Sequence, residues 1–105
     1  MRIVVSSNGK DLASEASPVF GRCPVYMFVD SETFEFEAVE NPAMSAAGGA
    51  GIQAAQFIVA QGAQAVVSGH MGPNAYQVLA AAGVPIYLSM GGSVREVVEL
   101  SLIHI

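Results

Sequence analysis

The architecture of this chain follows from residues 48–88, which read GGAGIQAAQFIVAQGAQAVVSGHMGPNAYQVLAAAGVPIYL. After the glycine-rich start, apolar side chains recur at spacings of three and four, which predicts a helix of about a dozen residues. Ala65–Val67 predicts a strand, Pro73 suits the first position of a second helix, and Val84–Leu88 predicts another strand. Pro85 near the start of that strand predicts an edge or near-edge position. The alternation of helices and strands predicts a parallel sheet with right-handed crossovers.

The residues on either side of this stretch predict one more strand, a hairpin and a last helix. Ile3–Val5 is a short β-branched run that is typical of a buried strand. Val25–Val29 predicts the next strand, and the period of two in Thr33–Val39 predicts a half-exposed partner joined to it by a short turn. Ser93 and Glu96 form the S-x-x-E pattern of a capping box at the start of the last helix. The predicted order is β-ββ-α-β-α-β-α.

Composition narrows the functions that this chain can have. Its 105 residues fit one domain, residues 1–105, although the apolar end at 101–105 is atypical of a surface helix and would suit a truncation or a sequence scar. The formal net charge is −5, so the chain lacks the basic stripe that nucleic-acid binding requires. The apolar runs fall far short of the roughly 20 residues that span a bilayer, which predicts no membrane partner. The single cysteine, Cys23, cannot form an internal disulfide, which favours a cytoplasmic location.

The predicted sheet gathers its most reactive residues at one edge. Loops that follow parallel strands lie where open α/β sheets bind ligands, and here they include Arg22, Cys23 and His70. The glycines of these loops open two helices, whose free N–H groups and positive dipole ends favour an anion. The alternative is that the glycines only turn the chain. The glycines and methionines concerned are Gly48, Gly49, Gly51, Gly69, Gly72, Met44, Met71 and Met90.

Cys23 and His70 are the candidate metal ligands. A thiolate suits iron–sulfur centres or late transition metals, and an imidazole on a turn suits an exposed metal or cluster edge. The alternatives are a small buried apolar residue for Cys23 and a surface imidazole without function for His70. No Ser-His-Asp arrangement is supported, and Glu35 and Glu37 belong to the solvated face of the hairpin. The sequence therefore predicts a binding protein that is not an enzyme.

Six segments, taken in order over nearly the whole chain, carry a family resemblance: Val19–Pro24, Val25–Asp30, Glu40–Pro42, Gly48–Gly51, Gly69–Ala75 and Leu79–Val84. Together they resemble the dinitrogenase iron–molybdenum cofactor biosynthesis family. The resemblance implies a ribonuclease-H-like α/β/α fold with a mixed sheet in the order 3-2-1-4-5, strand 2 being antiparallel. It also implies a nitrogenase-related, metal-binding protein that binds or carries an iron–sulfur or iron–molybdenum-type cluster or its precursor. A cofactor-assembly protein would then be a partner.

One position departs from the family pattern. Several cofactor-carrying relatives have His directly before the Phe-Gly pair, and Val19 stands there in this sequence. Cys23 and His70 are the candidates to replace that ligand. Two hypotheses follow. In the first, a non-enzymatic cluster carrier uses the glycines, Arg22, Cys23 and His70. In the alternative, a metal-free module binds a small anion, a nucleotide or a protein partner.

Overall fold

The computed structural model describes residues 1–43, 49–89 and 91–102. Their elements follow the predicted order β-ββ-α-β-α-β-α. The strands are β1 (Arg2–Ser7), β2 (Val25–Asp30), β3 (Phe36–Glu40), β4 (Ala65–Ser68) and β5 (Ile86–Leu88), and the helices are α1 (Ala50–Ala60), α2 (Pro73–Ala81) and α3 (Val94–Leu102).

The five strands form one sheet in the order β3-β2-β1-β4-β5, as predicted. β2 is antiparallel to β1 and to β3, whereas β4 is parallel to β1 and β5 is parallel to β4. β5 is an edge strand, which confirms the position inferred from Pro85. The ribonuclease-H-like label for this fold stays a prediction.

The sheet has helices on both faces, which confirms the predicted three-layer arrangement. Successive residues of a strand point to opposite faces, so Val4 belongs to one core and its neighbours Ile3 and Val5 to the other. The core around Val4 includes buried residues of α1 and α2, and the core around Ile3 and Val5 includes those of α3.

Local signals fix where two of the helices begin. Pro73 occupies the first position of α2, where its missing N–H costs nothing. At the start of α3 the Glu96 N–H donates to the Ser93 hydroxyl, and the Ser93 N–H donates to a Glu96 carboxylate oxygen, both at 3.1 Å. This reciprocal pair is the predicted capping box. Residues 101 and 102 belong to α3, and 103–105 lie outside the described residues.

The register places every loop discussed below at one edge of the sheet. Ser7, at the end of β1, pairs with Val25 at the start of β2, and Val25 pairs with Glu40 at the end of β3. Because β4 and β5 run parallel to β1, their carboxyl ends lie at the same edge. Among the described residues, no helix has the length and apolar character needed to cross a bilayer.

Candidate functional site

A cavity of about 390 Å³ opens at the carboxyl edge of the sheet. We call it the rim cavity. Its walls come from four places: the loop before β2 at residues 19–22, the start of α1 at 49–52, His70, and the start of α2 at 72–75. The sheet topology explains this convergence, because α1 follows β3, α2 follows β4, and both strands end at this edge.

Both helices present first-turn N–H groups to the rim cavity. The residues that precede the first turns, Gly49 and Gly72, have no side chain that could cap these groups. Gly49 has a φ of 70°, a left-handed conformation that glycine adopts without strain. The first intrahelical donors are Gln53, to the Gly49 oxygen at 3.0 Å, and Tyr76, to the Gly72 oxygen at 3.1 Å. The N–H groups before them lack an intrahelical acceptor, so each helix start is suited to an anion.

The loop before β2 lies directly against the start of α1. A Cβ atom added to Gly21 would lie 3.0 Å from the Cα and N atoms of Gly51, closer than ordinary packing allows. Glycine is therefore required at position 21 for this approach. The contact closes one side of the rim cavity with backbone rather than with side chains.

The charges at the rim cavity differ from those of the whole chain. Arg22 is exposed and lines the cavity, as does His70. None of the described lining residues is a carboxylate, although the chain has a net charge of −5. The cavity therefore favours a negatively charged ligand.

Backbone hydrogen bonds fix His70 beside Val19. The His70 N–H donates to the Pro18 oxygen at 2.6 Å, and the Phe20 N–H donates to the His70 oxygen at 3.0 Å, which makes Val19 and His70 bridge partners. A Cβ atom at Gly69 would lie 2.3 Å from the Pro18 oxygen, so only glycine permits this pairing. His70 thus neighbours the position at which the resemblance implies a ligand.

A second cavity of about 600 Å³ lies on the other side of His70. Gly69, Met71 and Leu88 are among its lining residues. His70 is exposed and lines both cavities.

Cys23 lies in the core and not on the rim. Its side chain is 0% exposed, and its thiol donates to the Phe20 carbonyl oxygen at 3.3 Å. Burial raises the pKa of the Cys23 thiol, so it stays protonated at neutral pH. The expectation that this thiol faces the rim is wrong, and the buried alternative describes it. The physical reason is that Cys23 directly precedes the sheet and packs with Phe20 and Tyr26 in one core.

The structure brings together five of the predicted site residues at the rim cavity: Arg22, Gly49, Gly51, His70 and Gly72. Gly69 lies beside them on the second cavity, while Gly48, Met44 and Met90 lie outside the described residues. No group of three His, Cys, Asp or Glu side chains within 1–43, 49–89 and 91–102 is arranged to hold a metal ion. The sequence analysis did not single out Tyr26 and Asn41, whose side chains donate hydrogen bonds to carbonyl oxygens of the loop before β2.

A family model matches nearly the whole chain. Residues 1–102 match the model of a family described as dinitrogenase iron-molybdenum cofactor. The chain belongs to this family. The family is linked to an iron-molybdenum cofactor, and the family resemblance seen in the sequence is thereby confirmed.

Three proteins are similar to this chain in structure or in sequence. The apo form of the orange protein from Desulfovibrio gigas superposes with a TM-score of 0.93 at 35% identity, covering 98% of this chain and 88% of that chain. A NifB-like protein from Thermotoga, solved by NMR, gives a TM-score of 0.83 at 34% identity over 97% and 87% of the two chains. An uncharacterised protein of Methanocaldococcus jannaschii is 35% identical over 89 residues, which are 82% of this chain and 75% of that protein.

Proposed function

We propose that this protein is a non-enzymatic carrier that binds an iron–sulfur or iron–molybdenum-type cluster, or its precursor, in the rim cavity. One observation carries the proposal. Two helix starts without side-chain caps, Arg22 and His70 converge on a cavity whose described lining has no carboxylate.

The chemistry of the cavity fits the outer surface of such a cluster. Metal–sulfide clusters are commonly anionic, and their sulfur atoms accept hydrogen bonds that tune the cluster. The first-turn N–H groups supply donors, and Arg22 supplies a positive charge near them. The volume of about 390 Å³ falls within the range of about 300–1,000 Å³ that is usual for small-ligand sites.

His70 is the residue that we assign as a direct ligand. It is exposed at the cavity and fixed by its backbone next to Val19. The thiol of Cys23 is excluded from this role in the proposal, because it is buried and engaged with backbone oxygens. The cluster would therefore rely mainly on N–H donors and charge.

The relatives support a binding role in general terms. The family is linked to an iron-molybdenum cofactor, and the orange protein structure is described as an apo form, the term for a protein without its bound group. The open cavity suits transfer of cargo to or from a cofactor-assembly protein, which we propose as the partner, in the cytoplasm.

Anaerobic reconstitution with iron and sulfide tests the proposal. After desalting, we expect a visible charge-transfer spectrum and iron that remains with the wild-type chain. Arg22→Gln should lower the retained iron, whereas Arg95→Gln, which removes an equal charge on α3 away from the cavity, should not. Wild type that retains no iron under these conditions would refute the carrier role.

A metal-free role is the second candidate, and the burial of Cys23 together with Val19 at the family's His position favours it. Because His70 is the only His or Cys among the described lining residues, the same N–H groups could serve a small oxyanion. Titration with inorganic phosphate, followed by amide chemical shifts, would show saturable changes at Gly51 and Ala75. Such shifts without iron retention would select this alternative.

A further inference from the structure

The loop that lines one side of the rim cavity is held from inside the protein by a buried hydroxyl. We call residues 20–23 the binding loop. The Tyr26 hydroxyl donates a hydrogen bond to the Phe20 carbonyl oxygen, and the two rings pack with centroids 5.5 Å apart. Tyr26 is 0% exposed, and burial raises the pKa of its hydroxyl, so the group remains a donor at any physiological pH.

A buried amide holds the rest of the binding loop. The Asn41 side chain donates to the carbonyl oxygens of Gly21 and Cys23, at 3.0 and 2.9 Å. Its own oxygen accepts from the Ala43 N–H at 2.9 Å, and its backbone N–H donates to the Pro24 oxygen at 3.0 Å. Both ends of the amide are thus engaged, which fixes its orientation at the end of β3.

These bonds turn the peptide groups of the binding loop in one direction. In a trans peptide the N–H points opposite to the carbonyl. The Phe20 and Gly21 carbonyls point to Tyr26 and Asn41, which do not line the rim cavity, whereas the residues that carry the opposite N–H groups, Gly21 and Arg22, do line it. The positive ends of both peptide dipoles therefore lie on the side of the cavity.

We infer that Tyr26 and Asn41 are positioning residues that preorganise the binding loop as part of the anion site. The inference rests on the proposed function and names the groups that hold its binding surface in place. On its other side, the binding loop packs closely through Gly21 against Gly51 at the start of α1. The hydrogen bonds from Tyr26 and Asn41 to the loop carbonyls therefore also set the orientation of the loop relative to the start of α1. Preorganised donors bind more tightly because no ordering cost is left for the ligand to offset.

The first test uses the ligand-free protein. Tyr26→Phe keeps the ring and removes only the donor, and Asn41→Asp keeps the shape and removes both donors. Ser101→Ala is the matched control, because it also removes a buried hydroxyl that donates to a backbone oxygen, at 2.8 Å, but on α3. We expect amide hydrogen exchange at Phe20 and Asn41, whose N–H groups donate to the His70 and Pro24 oxygens, to accelerate about fivefold or more in Tyr26→Phe and to remain at the wild-type rate in the control.

The second test measures binding of inorganic phosphate and retention of iron after anaerobic reconstitution with iron and sulfide. Loss of one such hydrogen bond should weaken phosphate binding by about threefold to tenfold in Tyr26→Phe and should lower retained iron, with no change in Ser101→Ala. If Asn41→Asp does not fold, Tyr26→Phe alone decides the outcome. Unchanged exchange and unchanged binding in Tyr26→Phe would overturn the positioning role and leave the proposed function intact. Wild type that binds neither phosphate nor iron, with accelerated exchange in Tyr26→Phe, would instead end the proposed function.

Discussion

At the scale of single residues, the position of Cys23 changes the chemistry that the site can use. A cysteine beside a glycine-rich loop suggests a soft metal ligand, but the side chain of Cys23 is fully buried. Its sequence neighbours do not reveal this burial, because the direction of the side chain depends on how the loop enters the sheet. The thiol is therefore structural, and in the proposed site a ligand would meet mainly N–H groups and positive charge.

The buried thiol predicts slow chemical modification. In the native protein at pH 8, Cys23 should react with the disulfide reagent dithiobis(nitrobenzoate) on the order of a hundredfold more slowly than in urea. The reason is that the reaction requires opening of the core. The raised pKa of the thiol acts in the same direction, since it lowers the thiolate fraction. The absorbance of the released thionitrobenzoate ion gives the rate of reaction. Equal rates with and without urea would contradict the assignment.

Gly69 offers a second residue-scale prediction. Gly69→Ala should lower the free energy of unfolding by about 2 kcal/mol or more, because the new methyl group meets the Pro18 backbone and not a side chain that can move. Gly72→Ala is the control, since nothing lies within 4 Å of a Cβ atom there and a smaller change is expected. Urea denaturation of both variants measures the difference. Equal losses would mean that the 18–70 pairing does not constrain position 69.

At the scale of elements, the order of strands and helices could be predicted because each has a strong local signal. The three-and-four spacing in α1, Pro73 at the start of α2 and the capping box of α3 are set within a few residues. The element bounds were less exact. The strand predicted to begin at Thr33 begins at Phe36 in the structure, because residues 30–35 form a turn with its own hydrogen bonds.

The capping box gives a prediction at this scale. Ser93→Ala should destabilise the protein by about 1 kcal/mol, because the Glu96 N–H loses its acceptor. Ser93→Thr keeps a hydroxyl and should retain most of the stability. Thermal or urea unfolding compares the two variants with wild type. A loss in Ser93→Ala below about a quarter of that value would mean that the box contributes little.

At the scale of the whole molecule, the topology explains why the site could be located from the sequence but not detailed. Parallel strands bring their carboxyl ends to one edge, so the glycines, Arg22 and His70 were predicted together at that edge. Tyr26 and Asn41 could not be found, since a Tyr in a strand and an Asn before Pro42 have ordinary structural explanations. Their roles depend on contacts between segments distant in sequence, which local patterns do not encode.

Although the chain is acidic, none of the described lining residues of the rim cavity is a carboxylate, as we expect of the proposed anion site. Asn74→Asp places a carboxylate among the described lining residues at the start of α2 with almost no change of shape. A negative charge in the first turn of a helix is stabilising, so the melting temperature should not fall. The same charge should repel an anionic cluster and compete for its N–H donors.

The most direct measurement is therefore the iron retained per chain after anaerobic reconstitution with iron and sulfide, compared among wild type, Asn74→Asp and Gln77→Glu. Gln77→Glu adds the same charge to an exposed position one turn further along the same helix, which is not among the lining residues of the cavity. We predict that wild type and Gln77→Glu retain similar amounts of iron and that Asn74→Asp retains several-fold less while remaining at least as stable. Equal retention in Asn74→Asp and Gln77→Glu, or no retention in wild type, would contradict binding of an anionic cluster in the rim cavity.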